Sequence, residues 1–221
     1  LGANTTGANN TAIGSHALDA NTTANNNTAV GYDALTANTT GTSNTAVGAY
    51  ALDANTTGGR NTAIGINSLT DCTTGQNNVA VGSNAGENIT TSENNVAIGH
   101  DAMEENTTGN NNIAIGTRAL EENTTASNNT AVGYEALTAN TTGTNNVALG
   151  TQALLTNQTG ASNVGLGNTA LYFTTGSNNV AIGNGSQFNT RAASNNTSVG
   201  HQSLSSNTTG TQNVAVGANA L

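Results

Sequence analysis

The stretch Asn44-Thr-Ala-Val-Gly-Ala-Tyr-Ala-Leu-Asp-Ala-Asn-Thr-Thr-Gly-Gly-Arg60 decides the fold, because Asn61-Thr-Ala-Ile-Gly65 begins it again. A Gly follows an aliphatic residue at Gly14, Gly31, Gly48, Gly65, Gly82, Gly99, Gly116, Gly133, Gly150, Gly167, Gly183, Gly200 and Gly217. Successive members lie 17 residues apart, except the step of 16 from Gly167 to Gly183. A fixed short period over a whole chain is the mark of a stacked-repeat architecture, in which one unit cannot bury its apolar face alone.

Within the unit some columns never vary. Four residues before each Gly stands Asn: Asn10, Asn27, Asn44, Asn61, Asn78, Asn95, Asn112, Asn129, Asn146, Asn163, Asn179, Asn196 and Asn213. The residue two before is Ala, except Gly165 and Ser198, and the fourth after is Leu, except Gly86, Met103 and Gln187. In Thr-Ala-Val the outer two residues share one face of an extended strand and Ala lies on the other. The sequence predicts that the β-branched and aliphatic pair forms the strand's core side, leaving Ala to face a neighbour. The Gly column supplies turns that a Cβ would forbid, and Asn-Thr-Thr-Gly supplies a second corner. The predicted fold is all-β: a β-solenoid of 17-residue coils, stacked about 4.8 Å apart. Residues 1–221 read as one repeat array, irregular at 168–193, and as an excerpt of a longer fibre protein. Stacked Asn side chains are expected to form a hydrogen-bonded ladder, as in cross-β assemblies.

Composition sets the limits on function. Of 221 residues 7% are charged and 3% aromatic, with a net charge of −9. That charge has the wrong sign for phosphate, so no nucleic-acid partner is expected, and no apolar run is long enough to span a membrane. No catalytic residue, metal ligand or cofactor is expected. The acidic residues Asp101, Glu104, Glu105, Glu121, Glu122 and Glu135 read as a solvated face or, alternatively, as a divalent-cation site, and Arg118, between Asp101 and Glu135 in its column, points to charge compensation. His16, His100 and His201 stand too far apart in the repeat series to share an ion. Cys72 is read as a buried, inert thiol.

The motifs Asn77-Asn-Val-Ala-Val-Gly82, Asn95-Val-Ala-Ile-Gly99 and Asn213-Val-Ala-Val-Gly-Ala-Asn-Ala220 resemble the head repeats of YadA-like trimeric autotransporter adhesins. The longer Asn-Thr-Ala-Val-Gly unit resembles repeats of phage tail-fibre-type proteins. The resemblance covers the whole chain and implies a left-handed parallel β-roll with three copies side by side, in an extracellular or virion fibre. The extra Asn-Thr-Thr-Gly segment departs from the shorter adhesin-head repeat. The expected partner is therefore the chain itself, with host-surface or environmental glycans as further candidates. An alternative reading is a repetitive binding surface for glycans or, from the Thr pairs, for ice. Adjacent Thr residues point to opposite faces, which disfavours a flat ice-binding plane.

Asn4, Asn21, Asn38, Asn55, Asn106, Asn123, Asn140 and Asn207 each begin an Asn-Thr-Thr sequence and are formal glycosylation acceptors. Cys72 and Ile89 occupy the same column, which points instead to a partly buried turn. The irregular stretch gathers Tyr172, Phe173 and Phe188, and reads either as local repair of the core or as a kink or docking patch.

Overall fold

The computed structural model describes residues 1–221 and contains thirteen three-residue strands and no helix. They fall into two compact units, Leu1–Asn111 and Asn112–Leu221. The first holds β1 (Thr11–Ile13), β2 (Thr28–Val30), β3 (Thr45–Val47), β4 (Thr62–Ile64), β5 (Val79–Val81) and β6 (Val96–Ile98). The second holds β7 (Ile113–Ile115), β8 (Thr130–Val132), β9 (Val147–Leu149), β10 (Val164–Leu166), β11 (Val180–Ile182), β12 (Thr197–Val199) and β13 (Val214–Val216). Within each unit consecutive strands pair in parallel, like residue on like: Thr45 on Thr62, Ala46 on Ala63, Val47 on Ile64. The fold is the expected β-solenoid of 17-residue coils.

The strands are turned over relative to expectation. Ala29, Ala46, Ala63, Ala80, Ala131 and Ala148 are 0% exposed, and the flanking Thr, Val and Ile side chains point outward. The coil is too thin to hold large residues on this face. At Gly165 a Cβ built in the Ala position would lie 2.5 Å from Leu154 Cδ1, so the Leu column already fills the interior that the strand faces. The core of each coil is that Leu, the two Ala columns and the two Asn columns.

The Ala-Leu segment is a run of turns rather than a second strand. The second and fourth residues after each Gly have positive φ, as at Tyr50 (59°) and Leu52 (52°). A left-handed conformation costs an L-residue roughly 1–2 kcal/mol, and burial of a Leu side chain returns roughly 1.5–3 kcal/mol. Where Gly86 takes this position (φ 59°) the strain disappears and the Leu side chain is missing. The Ile89 side chain fills that space: its Cδ1 would lie 3.0 Å from a Cβ on Gly86. Two substitutions that look unrelated in sequence are thus one compensated change.

The invariant Gly is required twice. Gly48 has φ of 141°, and a Cβ there would stand 2.6 Å from the carbonyl carbon of Gly65 in the next coil. Replacing Gly48 with Ala should cost about 2–4 kcal/mol, from backbone strain plus steric displacement. Chemical denaturation of Gly48→Ala against the parent chain measures this.

Candidate functional site

The Asn columns are the most elaborate polar feature, and they do two different jobs. Within each unit, side-chain Oδ1 atoms of the invariant column accept the backbone N–H of the Asn in the next coil. Asn10 holds Asn27 at 2.9 Å, Asn27 holds Asn44 at 2.9 Å and Asn78 holds Asn95 at 3.0 Å. In the second unit Asn112 holds Asn129 and Asn146 holds Asn163 in the same way. The Nδ2 donates to a corner carbonyl, Asn44 to Gly58 at 2.8 Å and Asn129 to Gly143 at 2.9 Å. The column is a ladder from side chain to backbone, which satisfies buried main-chain groups that would otherwise be costly.

The direct amide-to-amide ladder runs along the other column, at the residues that sequence marked as glycan acceptors. Asn21 Nδ2 donates to Asn4 Oδ1 at 3.0 Å, Asn38 to Asn21 at 3.1 Å, Asn55 to Asn38 at 2.8 Å and Asn140 to Asn123 at 3.0 Å. Asn21, Asn38, Asn55, Asn106, Asn123 and Asn140 are fully buried. An amide enclosed on all sides has no room for a glycan in the folded chain, which favours the buried-turn reading of this column. Asn4 and Asn207 are half-buried, and each gives its Nδ2 to a nearby glycine carbonyl, Gly7 and Gly210. The ladder stops where the residue type changes. Asn55 Oδ1 has no partner beneath Cys72, and Asn157 Oδ1 has none beneath Thr174.

Cys72 is buried and free. Burial pushes its thiol up to about 12 from the ordinary 9.0, partly opposed by a hydrogen bond with the Gly75 backbone. Ionic contacts lie on the surface: His16 Nδ1 on Asp33 at 2.9 Å, His100 Nδ1 on Asp101 at 2.7 Å, and Arg118 on both Glu121 (2.7 Å) and Glu135 (3.2 Å). The hydrogen bond from Gln152, with Tyr134 and Arg118, holds the Glu135 carboxyl below its usual range. Burial, and then Asp71, Asp101 and Glu105, raise that of Glu87. The first Thr of each pair caps the stack, as Thr39 Oγ1 donates to the Thr56 carbonyl at 3.1 Å. The second Thr, as at Thr40 and Thr57, is exposed.

Two features were not legible as sites. One is the outward apolar stripe of the strands, with Ile64 40%, Ile98 37%, Leu149 39% and Ile182 38% exposed. Within each unit, such an apolar strip on a sheet face is unusual for an isolated soluble surface. The only cue in sequence was the alternation, and it was assigned the wrong way round. The other is at the irregular coil. There Gln187 replaces the core Leu and gives its Nε2 to the Val180 carbonyl (2.8 Å) and Ser198 Oγ (3.0 Å). Ser186 bonds both Ser198 and Ser203. Two exceptions to the consensus, Gln187 and Ser198, thus share one buried polar network with Ser186 and Ser203. The chain matches no protein-family model, no curated protein and no solved structure.

Two outcomes follow from the interior. Asn38→Ala removes one rung and orphans its neighbours' amides, so it should lower unfolding free energy by about 2–4 kcal/mol, measured by denaturant titration. Cys72 should resist alkylation in the native chain at pH 8 and react once unfolded. Because its folded pKa is raised, the native chain keeps the proton longer than the unfolded one. Stability is therefore unaffected below pH 9 and falls as pH rises from 9 toward 12, which thermal melts across that range detect against Cys72→Ala.

Proposed function

We propose that the chain is a non-catalytic shaft segment of an extracellular or virion fibre, built from copies of itself packed side by side along their strand faces. The single observation that supports this is the outward stripe. Each coil presents one Thr, Val or Ile and one further Val, Ile or Leu on the same side, at one coil's spacing. Burying such a surface yields about 25 cal/mol per Å², and the stripe repeats it coil after coil. Its only polar members are Thr hydroxyls, and the strand backbones behind it are already paired, so apolar cover suits it. A second copy offers the same stripe at the same pitch, and like-on-like repetition lets it meet without register conflict. Three copies are the number that the resemblance to adhesin-head repeats implies.

Mechanically, such a segment transmits load through hydrogen bonds that run along the stack. The ladders of the interior lie in the same direction, so separating two coils breaks many bonds together. A rigid spacer that holds a binding element away from a surface needs this property and no active-site chemistry.

Sedimentation equilibrium of the isolated chain at micromolar concentration should report three copies. Ile64→Lys combined with Ile98→Lys should shift it to one copy. A parent chain that sediments as a folded single copy would overturn the reading.

A further inference from the structure

We infer that the irregular coil carries a binding hollow for one neutral pyranose unit, lined by Gly185 and Phe188. The observations are local to the second unit and independent of whether copies associate. The second position after each Gly normally projects a side chain from a left-handed backbone, as at Thr169 (φ 53°) and Gln202 (φ 50°). Gly185 keeps that backbone, at φ 61°, and omits the side chain. The result is a notch between Thr169 and Gln202, bounded along the rest of its wall by Phe188, Asn189 and Ser205.

The aromatic wall is what distinguishes this notch from a gap. Phe188 stacks on Tyr172 with centroids 5.1 Å apart and planes at 22°. Phe173 meets Tyr172 and Phe188 edge-on, at 73° and 86°. The cluster fixes the Phe188 ring, and Tyr172, one coil before, covers one of its faces. The same column one coil later holds Ser205, too short to cover the other. A pyranose presents a flat patch of C–H groups to such a ring face while its hydroxyls point sideways. The groups at the sides suit hydroxyls: three carboxamides, Asn184, Asn189 and Gln202, and three hydroxyls, each able to donate and accept. No lining residue is charged, so the hollow selects against acidic and cationic sugars, whose desolvation it does nothing to offset.

Saturation-transfer NMR with the methyl pyranosides of glucose, galactose, mannose and N-acetylglucosamine tests this, with methyl glucuronide as the charged control. The expected result is transfer to the ring protons of at least one neutral pyranoside, together with shifts of the Phe188 ring resonances. Phe188→Thr, which installs a residue that column already holds at Thr36, Thr70 and Thr138, should weaken binding about tenfold. Gly185→Gln should abolish it by filling the notch. A Cβ at 185 meets only Gln202 Cγ, at 3.4 Å, and Gln already occupies this backbone conformation at 152 and 202, so the variant should fold. The Phe188 shifts are read on the parent chain and keep the test valid should either variant fail to fold. Transfer to none of the four neutral pyranosides overturns the assignment. So does equal transfer in Gly185→Gln, or glucuronide binding as strong as that of the neutral sugars.

Discussion

Everything in this fold depends on the reach of an Asn side chain from one coil to the backbone of the next. A three-residue strand makes few ladder bonds, and the rest of each coil is turns, whose main-chain groups find partners only by stacking. The Asn amide is short enough to lie inside the coil and has both a donor and an acceptor. Its Oδ1 takes the next coil's N–H and its Nδ2 takes a corner carbonyl. Gln would be a methylene too long, and Asp would bring a buried charge and lose the donor. The period follows from the same constraint, because like must sit on like for each amide to find its mate.

A second constraint is thickness. The interior admits one large side chain per coil, and that place belongs to Leu, held in a left-handed turn that Leu does not favour. The strand therefore contributes only Ala inward. At two of the three positions where the Leu changes, something nearby changes with it. Gly86 comes with Ile89 pointing into the vacated space, and Gln187 comes with Ser198, whose Oγ accepts its Nε2 and links it to Ser186 and Ser203. The interior tolerates a different chemistry within a coil provided that volume and hydrogen bonding are restored together.

The period, the parallel register and the buried Asn columns were all legible in sequence, since they follow from repetition at a fixed interval. The facing of the strand was not. Alternation says that Thr and Val share a side and Ala takes the other, but it is symmetric under exchange of inside and outside. Hydrophobicity alone puts Val inward; the size of the Leu column reverses the choice, and that size appears only when the coil closes. The burial of Asn21, Asn38 and Asn55 was hinted at by Cys72 and Ile89 in their column. The notch at Gly185 was hidden because a single Gly in a variable column reads as one more turn residue.

Where the chain departs from its period is itself informative. The coil that loses a residue loses it at the Thr-Thr corner, between Phe173 and Gly176, where Thr174 and Arg191 form only an isolated bridge. The strands on either side stay in register: Val164 still pairs with Val180 and Leu166 with Ile182. The coil after it drops Leu and the whole Asn-Thr-Thr-Gly corner, yet Val180 still pairs with Thr197 and Ile182 with Val199. An isolated solenoid gains nothing by protecting one side over another, because every side contributes stacking bonds. A solenoid whose strand face must mate with a copy has reason to place its irregularities elsewhere. The aromatic cluster and the notch lie at the turns, away from the outward strand residues, so a local recognition element and a continuous association face can occupy the same coils without competing.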